Sequence, residues 1–325
     1  MRIGVIPPVP MEPFLASNND VMNLWSAYFL GEGREDALET ARLAGFPNNF
    51  SAWARAIYGL CCSMGIEVVY YPKPGTPKEV TRALDALSEQ NIEIVSFSFP
   101  LLRNFDRLKE ELDGLCAKLN VEAGVLGSVV ERYGLVRTTL RRFDALQQKE
   151  GAFHSRKYVD MLARCMDPEG DLEGLRKTVE SDYLKFNELG RGRLLRVGLL
   201  GLTPARSAFY EALEANGAIV VYDEWGIENN PMTPTSDLTR LYHECSLPYG
   251  LVKRRERLLK EVRNRRIQGF VMGVEYISES IRDEGFFKSA LGVPVYSIEN
   301  AAGGPLSAAE ERGIRDFLVR IGSQA

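Results

Sequence analysis

Short apolar, β-branched runs alternate with longer stretches of helical periodicity at both ends of the chain, and the alternation fails in the middle. Met1–Ile6, Glu67–Tyr71 and Ile92–Phe97 read as strands. Between the first two, Phe50–Met64 (FSAWARAIYGLCCSM) sets its apolar residues at helical spacing. Thr76-Pro77 ahead of KEVTRALDALSEQ reads as an N-cap with proline at the first helical position, where the missing N–H has no acceptor to lose. Residues 1–125 are therefore expected to form an N-terminal α/β domain. Residues 126–192 carry no convincing strand. SVVERYGLVRTTLRRFDALQQKEG and LEGLRKTVESDYLKFNELGRG are amphipathic, and the segment reads as a helical connector. From Arg193 onward strands return at Arg196–Leu200, Ala218–Tyr222, Gly269–Val274 and Pro294–Glu299, with helices Ala205–Asn216, Tyr249–Arg265 and Ser280–Leu291 between them and Ser307–Ile321 closing the chain. Residues 193–325 are expected to form a C-terminal α/β domain. Strand–helix alternation on this scale argues for parallel sheets covered by helices on both faces. The expected fold class is α/β, two parallel-sheet domains and a helical connector.

Charge narrows the partners. The 325 residues include 40 basic and 44 acidic side chains, a net charge of −4, so the basic footprint of a nucleic-acid binder is absent. The one basic run, Lys253–Arg257 with Arg263, Arg265 and Arg266, is interleaved with Glu256 and Glu261 and reads as a solvated helix face. The opening MRIGVIPPVPMEPF has no apolar core of signal-peptide length, and nowhere do ~18 apolar residues run together as a membrane span requires. Five cysteines in no framework suit free thiols in a reducing compartment. A cytoplasmic protein is expected, with no nucleic acid and no membrane among its partners.

The stretch RLLRVGLLGLTPARSAFYEALEANGAIVVYDEWG, from Arg193 to Gly226, has the grammar of a dinucleotide fold: strand, turn, helix, strand, then acids. It lacks the paired glycines of G-x-G-x-x-G, which let the backbone approach a pyrophosphate. Asp223 stands near the place of a ribose-binding acid, but the stretch reads first as scaffold, with Thr203 capping a helix and Pro204 at its first position. In open parallel sheets ligands gather at the carboxyl ends of strands. Here those ends are Thr203, Asp223-Glu224-Trp225, Glu275-Tyr276 and Glu299-Asn300. Glu224, Glu275 and Glu299 are candidate catalytic groups, because carboxylates crowded into one pocket raise one another's pKa. Solvent-facing loop acids are the competing account. His243 and Cys245 form a closely spaced soft-ligand pair, yet two residues do not hold a metal, so Cys245 is the sole candidate ligand and no metal is expected. Cys61, Cys62, Cys116 and Cys165 fall on helical core positions, and His154 in the connector reads as a surface residue.

The order RVGLLG, NGAIVVYDEWG, RRERLLKEV, IQGFVMGVEY, LGVPVYSIEN and EERGIRDFLVRI, with IVSFSFPLLRNFDRLKEELDGLCAKLN earlier, resembles the 2-hydroxyacyl-CoA dehydratase D-components and the related benzoyl-CoA reductase subunits. The resemblance covers most of the chain. It implies two flavodoxin-like domains joined by helices, a related partner subunit, and a [4Fe–4S] cluster on three cysteines at the interdomain cleft. An ATP-dependent activator would deliver an electron, and the substrate would be an acyl-CoA. The departures are specific. Ser51 stands where the first cysteine is expected, Gly75 near the second, and Tyr276-Ile277-Ser278 at the third. Since such clusters are ordinarily held by thiolates, no cofactor is expected in this chain, and a [4Fe–4S] cluster is expected in a partner subunit. Ser51, Thr203, Glu224, Tyr276, Ser278 and Asn300 are the expected substrate-binding residues. One reading is a cluster-free subunit of a dehydratase- or reductase-like complex. A second is a repurposed relative that binds a small acid, or works on a thioester without redox chemistry, in the interdomain cleft. A cluster enzyme with unorthodox ligands and an unrelated α/β protein complete the readings.

Overall fold

The computed structural model describes residues 1–31, 33–184, 194–274, 278–299 and 304–323, with backbone alone for 278–282. Along the chain the elements are β1 (Arg2–Val5), α1 (Glu12–Leu15), β2 (Asp20–Asn23), α2 (Leu24–Leu30), α3 (Arg34–Leu43), α4 (Ala52–Ser63), β3 (Val68–Lys73), α5 (Lys78–Ser88), β4 (Glu93–Ser98) and α6 (Phe105–Lys118). Three helices follow, α7 (Ala123–Glu150), α8 (Ser155–Met166) and α9 (Leu172–Leu184). The second set comprises β5 (Leu195–Gly201), α10 (Ser207–Ala215), β6 (Ala218–Asp223), α11 (Glu224–Glu228), α12 (Leu238–His243), α13 (Leu251–Arg265), β7 (Gly269–Val274), α14 (Ser278–Ala290), β8 (Val295–Glu299) and α15 (Ala308–Gly322).

The chain packs as two compact units. Unit 1 holds Met1–Leu140, Ala163–Glu180 and Glu228–Gly250; unit 2 holds Arg141–Leu162, Ser181–Ile227 and Leu251–Ala325. Among the described residues of the helical middle there is no strand. That middle is shared between the units, since α7, α8 and α9 each contribute residues to both.

Each unit has one four-stranded, all-parallel sheet, ordered β2-β1-β3-β4 in unit 1 and β6-β5-β7-β8 in unit 2. Both orders are 2-1-3-4, the opening of the flavodoxin-like series, in which the chain crosses first to one side of its starting strand and then to the other. Strand β2 is the one element of the sheets that periodicity does not predict. It is four residues long, begins at exposed Asp20, and is held by parallel pairing from Arg2↔Asp20 to Val5↔Asn23.

Unit 1 centres on an aromatic cluster in which Trp25 of α2 meets Trp53 of α4 edge-on, ring centroids 5.2 Å apart. Gly59 lets α4 press onto α3, because a Cβ there would lie 1.8 Å from the Ala37 carbonyl oxygen. In unit 2, β6 lies at the sheet edge yet every one of its residues is buried. Side chains take up the backbone groups that an edge leaves open. Ser155 Oγ accepts from the Val220 N–H at 3.1 Å, Gln147 Nε2 donates to the Val220 carbonyl at 2.5 Å, and Arg265 donates to the Val221 carbonyl at 2.8 Å.

Two expected helix starts move. Thr76 does not cap α5: its hydroxyl donates to the Pro72 carbonyl, and Pro77, extended at ψ 149°, takes the N-cap position before Lys78. Thr203 does not cap α10, which starts at Ser207 after Arg206. Its hydroxyl is committed to Asp223. At the far end Ser307 does cap α15, in a reciprocal capping box with Glu310. Among the described residues no helix is long and apolar enough to cross a membrane.

Candidate functional site

In unit 2 the connection after β5 leads to one side of the sheet and that after β7 to the other, so the crevice for a ligand opens at the carboxyl ends of these two strands. Beside it β6 runs directly into α11, which brings two consecutive acids, Asp223 and Glu224, to the sheet's edge. Both are 1% exposed. Their burial is made tolerable in different ways.

Glu224 is paired. Arg254 of α13 grips it with two hydrogen bonds, Nε to Oε1 at 2.9 Å and Nη2 to Oε2 at 2.7 Å. The backbone N–H of Gly201, at the end of β5, donates to Oε2 at 2.9 Å. Arg254 also reaches Asp283 at 3.2 Å and lies over the Phe287 ring at 4.8 Å. Burial works against the Arg254 charge, but Glu224 outweighs it and holds the guanidinium pKa above its ordinary value. This corrects the reading of the basic run as a solvated face at two positions, Arg254 and Arg265, while Arg255, Arg263 and Arg266 are exposed as expected. Arg254, Leu258, Glu261 and Arg265 lie on the buried face of α13, and Arg265 grips Asp144 at 2.7 and 2.8 Å. The signal was the spacing, since these four positions recur every third or fourth residue along one helix face.

Asp223 has no cationic partner among the described residues. Both its oxygens lie 2.9 Å from the Thr203 hydroxyl, and the backbone N–H groups of Trp225 and Gly226 donate to the carboxylate. Burial nonetheless pushes its pKa up from 3.8 to about 7. Gly226 is required here, because a Cβ would come within 2.6 Å of the Asp223 carboxylate. A carboxyl that exchanges its proton near neutrality at a strand end is equipped for acid–base work. Sequence reasoning noticed Asp223 as a strand-end and ribose-type acid but not as a titrating group, since nothing in the local pattern says that Arg254 takes its neighbour and not Asp223 itself.

The loop after β5 is tied down by Arg206, which is buried and salt-bridged to Glu310 of α15. It also donates to the carbonyl of Glu299 at the end of β8, at 3.2 Å. The Arg206 hydrogen bond to the Glu310 carboxylate, together with the capping interaction from Ser307, holds the Glu310 pKa down at about 2. Arg206 and Glu310 joined no motif in the sequence because they are 104 positions apart.

Of the residues singled out from sequence, Thr203 and Glu224 thus lie together at this edge, and Glu299 stands exposed at the end of β8. Glu275, Tyr276 and Asn300 lie outside the described residues, as does the side chain of Ser278 at the start of α14. Ser51 belongs to unit 1 and is buried at the N-cap of α4, its hydroxyl accepting from the Ala54 N–H at 3.0 Å and its own N–H donating to Glu79 at 2.8 Å. His243, also in unit 1, has its Nε2 2.7 Å from the Arg103 carbonyl oxygen.

The thiols do not match a cluster. All five cysteines lie at described positions, none within the three segments where the resemblance expects a ligand. Cys61 and Cys165 are buried in helices and burial raises their pKa, that of Cys165 to about 12, which disfavours the thiolate a cluster needs. Cys245 is buried with its Sγ 3.5 Å from the Glu228 carbonyl oxygen. Among the described residues no three His, Cys, Asp or Glu side chains converge as metal ligands. The residues present do not fit a [4Fe–4S] cluster held by three thiolates.

The family model described as 2-hydroxyglutaryl-CoA dehydratase, D-component, matches residues 7–309. No curated protein matches the chain.

Proposed function

The chain belongs to the family of the 2-hydroxyglutaryl-CoA dehydratase D-component, and from that premise we propose that it is a subunit without a cluster of its own in a 2-hydroxyacyl-CoA dehydratase- or benzoyl-CoA reductase-like complex. It contributes scaffold and part of an acyl-thioester cleft. One observation carries this reading: the family match extends over nearly the whole chain, while every cysteine lies away from the three ligand positions. The [4Fe–4S] cluster then resides in a homologous, cysteine-bearing partner subunit, which an ATP-dependent activator serves. This chain presents the strand ends of unit 2, where Arg254 and Glu224 fix the β5 terminus and Arg206 fixes the following loop.

A second reading is favoured by Asp223. A buried carboxyl with a pKa of about 7 suits proton transfer to a small acid or thioester without redox chemistry. The two readings are separated by anoxic purification of the tagged full chain from its native host. The subunit reading expects a cysteine-bearing homologue in near-equal amount by mass spectrometry. Recovery of the chain alone, free of any homologue, overturns it.

A further inference from the structure

Helix α13 carries cations on two opposite faces. Arg254 and Arg265 point into unit 2, with Leu258 and Glu261 between them. On the other side Arg255, Lys260, Arg263 and, just past the helix, Arg266 are exposed. Arg255, Leu259 and Arg263 stand four apart and so follow one line over about 12 Å, at ~1.5 Å per residue. Val252, 61% exposed, lies beside that line, and Leu259 is half-buried within it.

The cations of this outer face lack acids of their own. On other helices exposed cations have a carboxylate one turn away, as in Arg42–Glu39 at 2.5 Å, Lys109–Asp113 at 2.6 Å and Arg107–Glu110 at 2.9 Å. On α13 the two acids are engaged. Glu256 pairs with Lys253 at 2.7 Å, and Glu261 turns to Arg265 at 2.7 Å while meeting Arg257 at 3.4 Å. Among the described residues Arg255, Lys260, Arg263 and Arg266 have no acidic partner, and Arg255 donates only to the Ala290 carbonyl, at 3.2 Å. The field beneath is positive as well. Burial holds the pKa of Arg196 in β5 below its ordinary value, and Arg266 and Arg265 depress it further, with Glu150 opposing more weakly. The negative end of the helix dipole accounts for Arg263 and Arg266, but that effect fades within a turn and leaves Arg255 and Lys260 unexplained.

Like charges aligned on one face repel, and an anionic surface laid over them removes the repulsion. An exposed helix face encloses no small anion. Nucleic acid is disfavoured by the net charge of −4. A bilayer calls for bulky apolar residues between the cations, and here there are only Val252 and part of Leu259. We propose that the outer face of α13 docks an acidic protein partner, whose carboxylates meet Arg255, Lys260, Arg263 and Arg266 and whose aliphatic side chains meet Val252 and Leu259. The proposal stands whether or not that partner is the cysteine-bearing homologue.

The test treats the tagged full chain, purified without oxygen from its native host, with a zero-length carbodiimide, which joins a lysine amine to a carboxylate in contact with it. Peptide mass spectrometry is expected to find Lys260 joined to an aspartate or glutamate of a second protein. The affinity of that protein for the chain should fall about tenfold between about 50 and about 300 mM NaCl. It should fall at least about tenfold in Arg255→Gln/Arg263→Gln/Arg266→Gln and stay near the parent value in the corresponding triple lysine variant. Circular dichroism checks the fold, and Arg263→Gln alone, expected to weaken binding about threefold, serves if the triple variant unfolds. The proposal is overturned if Lys260 joins no other protein, or joins only a second copy of this chain. It is equally overturned if the folded glutamine variants keep the parent affinity. Parent binding to phosphatidylcholine vesicles with about 30% phosphatidylserine, or to duplex DNA, that the glutamine variant loses would assign the face to lipid or nucleic acid and also overturn it.

Discussion

Replacing Asp223 by Asn should make unit 2 more stable at high pH than at low pH, relative to the parent. The folded state raises the pKa of this carboxyl from 3.8 to about 7, chiefly by burying it. Between those two values the native chain keeps the proton and the unfolded chain has lost it. Stability therefore falls as pH rises through this window and levels off above it. The gap of about three pH units, at ~1.4 kcal/mol per pH unit, amounts to ~4 kcal/mol, of which ~3 kcal/mol falls between pH 5 and 8. Asparagine keeps the shape and carries no charge at any pH, so its amide can face Thr203 while its oxygen accepts from the Trp225 and Gly226 N–H groups. The assay is urea denaturation at pH 5, 6, 7 and 8. It is read by the fluorescence of Trp225, with a Trp225→Phe chain defining the contribution of Trp25 and Trp53, which belong to unit 1. The stability difference, variant minus parent, should widen by ~3 kcal/mol from pH 5 to pH 8. A difference that stays flat within ~0.5 kcal/mol would refute the claim that Asp223 is a buried, unpaired acid.

Breaking the neighbouring pair should be far costlier than removing it. Glu224→Ala leaves Arg254 buried with only its longer contact to Asp283, at 3.2 Å, and is expected to destabilise by ~3 kcal/mol, while the Glu224→Leu/Arg254→Met double change recovers a large part of that loss, as thermal and urea unfolding can measure. Ser155→Ala strips the Val220 N–H of its acceptor at the buried edge of β6 and should cost ~1–3 kcal/mol, visible also as faster amide exchange at Val220. The Arg206–Glu310 pair stabilises above the ordinary glutamate range, near 4.5, and its contribution disappears as pH falls toward about 2, so Glu310→Gln should weaken the protein at pH 7 and be neutral near pH 2. Anoxic reconstitution with iron and sulfide should leave well under one [4Fe–4S] per chain, and stoichiometric iron with absorption near 400 nm would overturn the cluster-free reading, with Cys245→Ala the first ligand variant to examine.

Among the described residues, seven of the eight strands are legible in the sequence because each is a run of apolar or β-branched residues that must be covered once it is paired. The parallel arrangement follows too, since a helix lies between most successive strands and a crossover is the way back to the same sheet edge. The order of family-like segments pointed to the fold that the chain adopts. Strand β2 escaped because its four residues owe their conformation to β1 alongside and not to their own pattern. The thresholds of α5 and α10 escaped for a related reason: Thr76 and Thr203 have the chemistry of caps, but each hydroxyl found a better-placed acceptor in the folded chain.

The candidate site divides the same way. That acids collect after β6 is plain in YDEWG, because strand ends face the crevice in any parallel sheet. Which acid is neutralised and which is left to titrate was decided by tertiary structure alone. Arg254 arrives from a helix 30 positions away and takes Glu224, while Asp223, one residue earlier, receives a hydroxyl and backbone amides and, among the described residues, no cation. Charge and burial are properties of a place in the folded chain, and adjacent residues of like chemistry occupy different places.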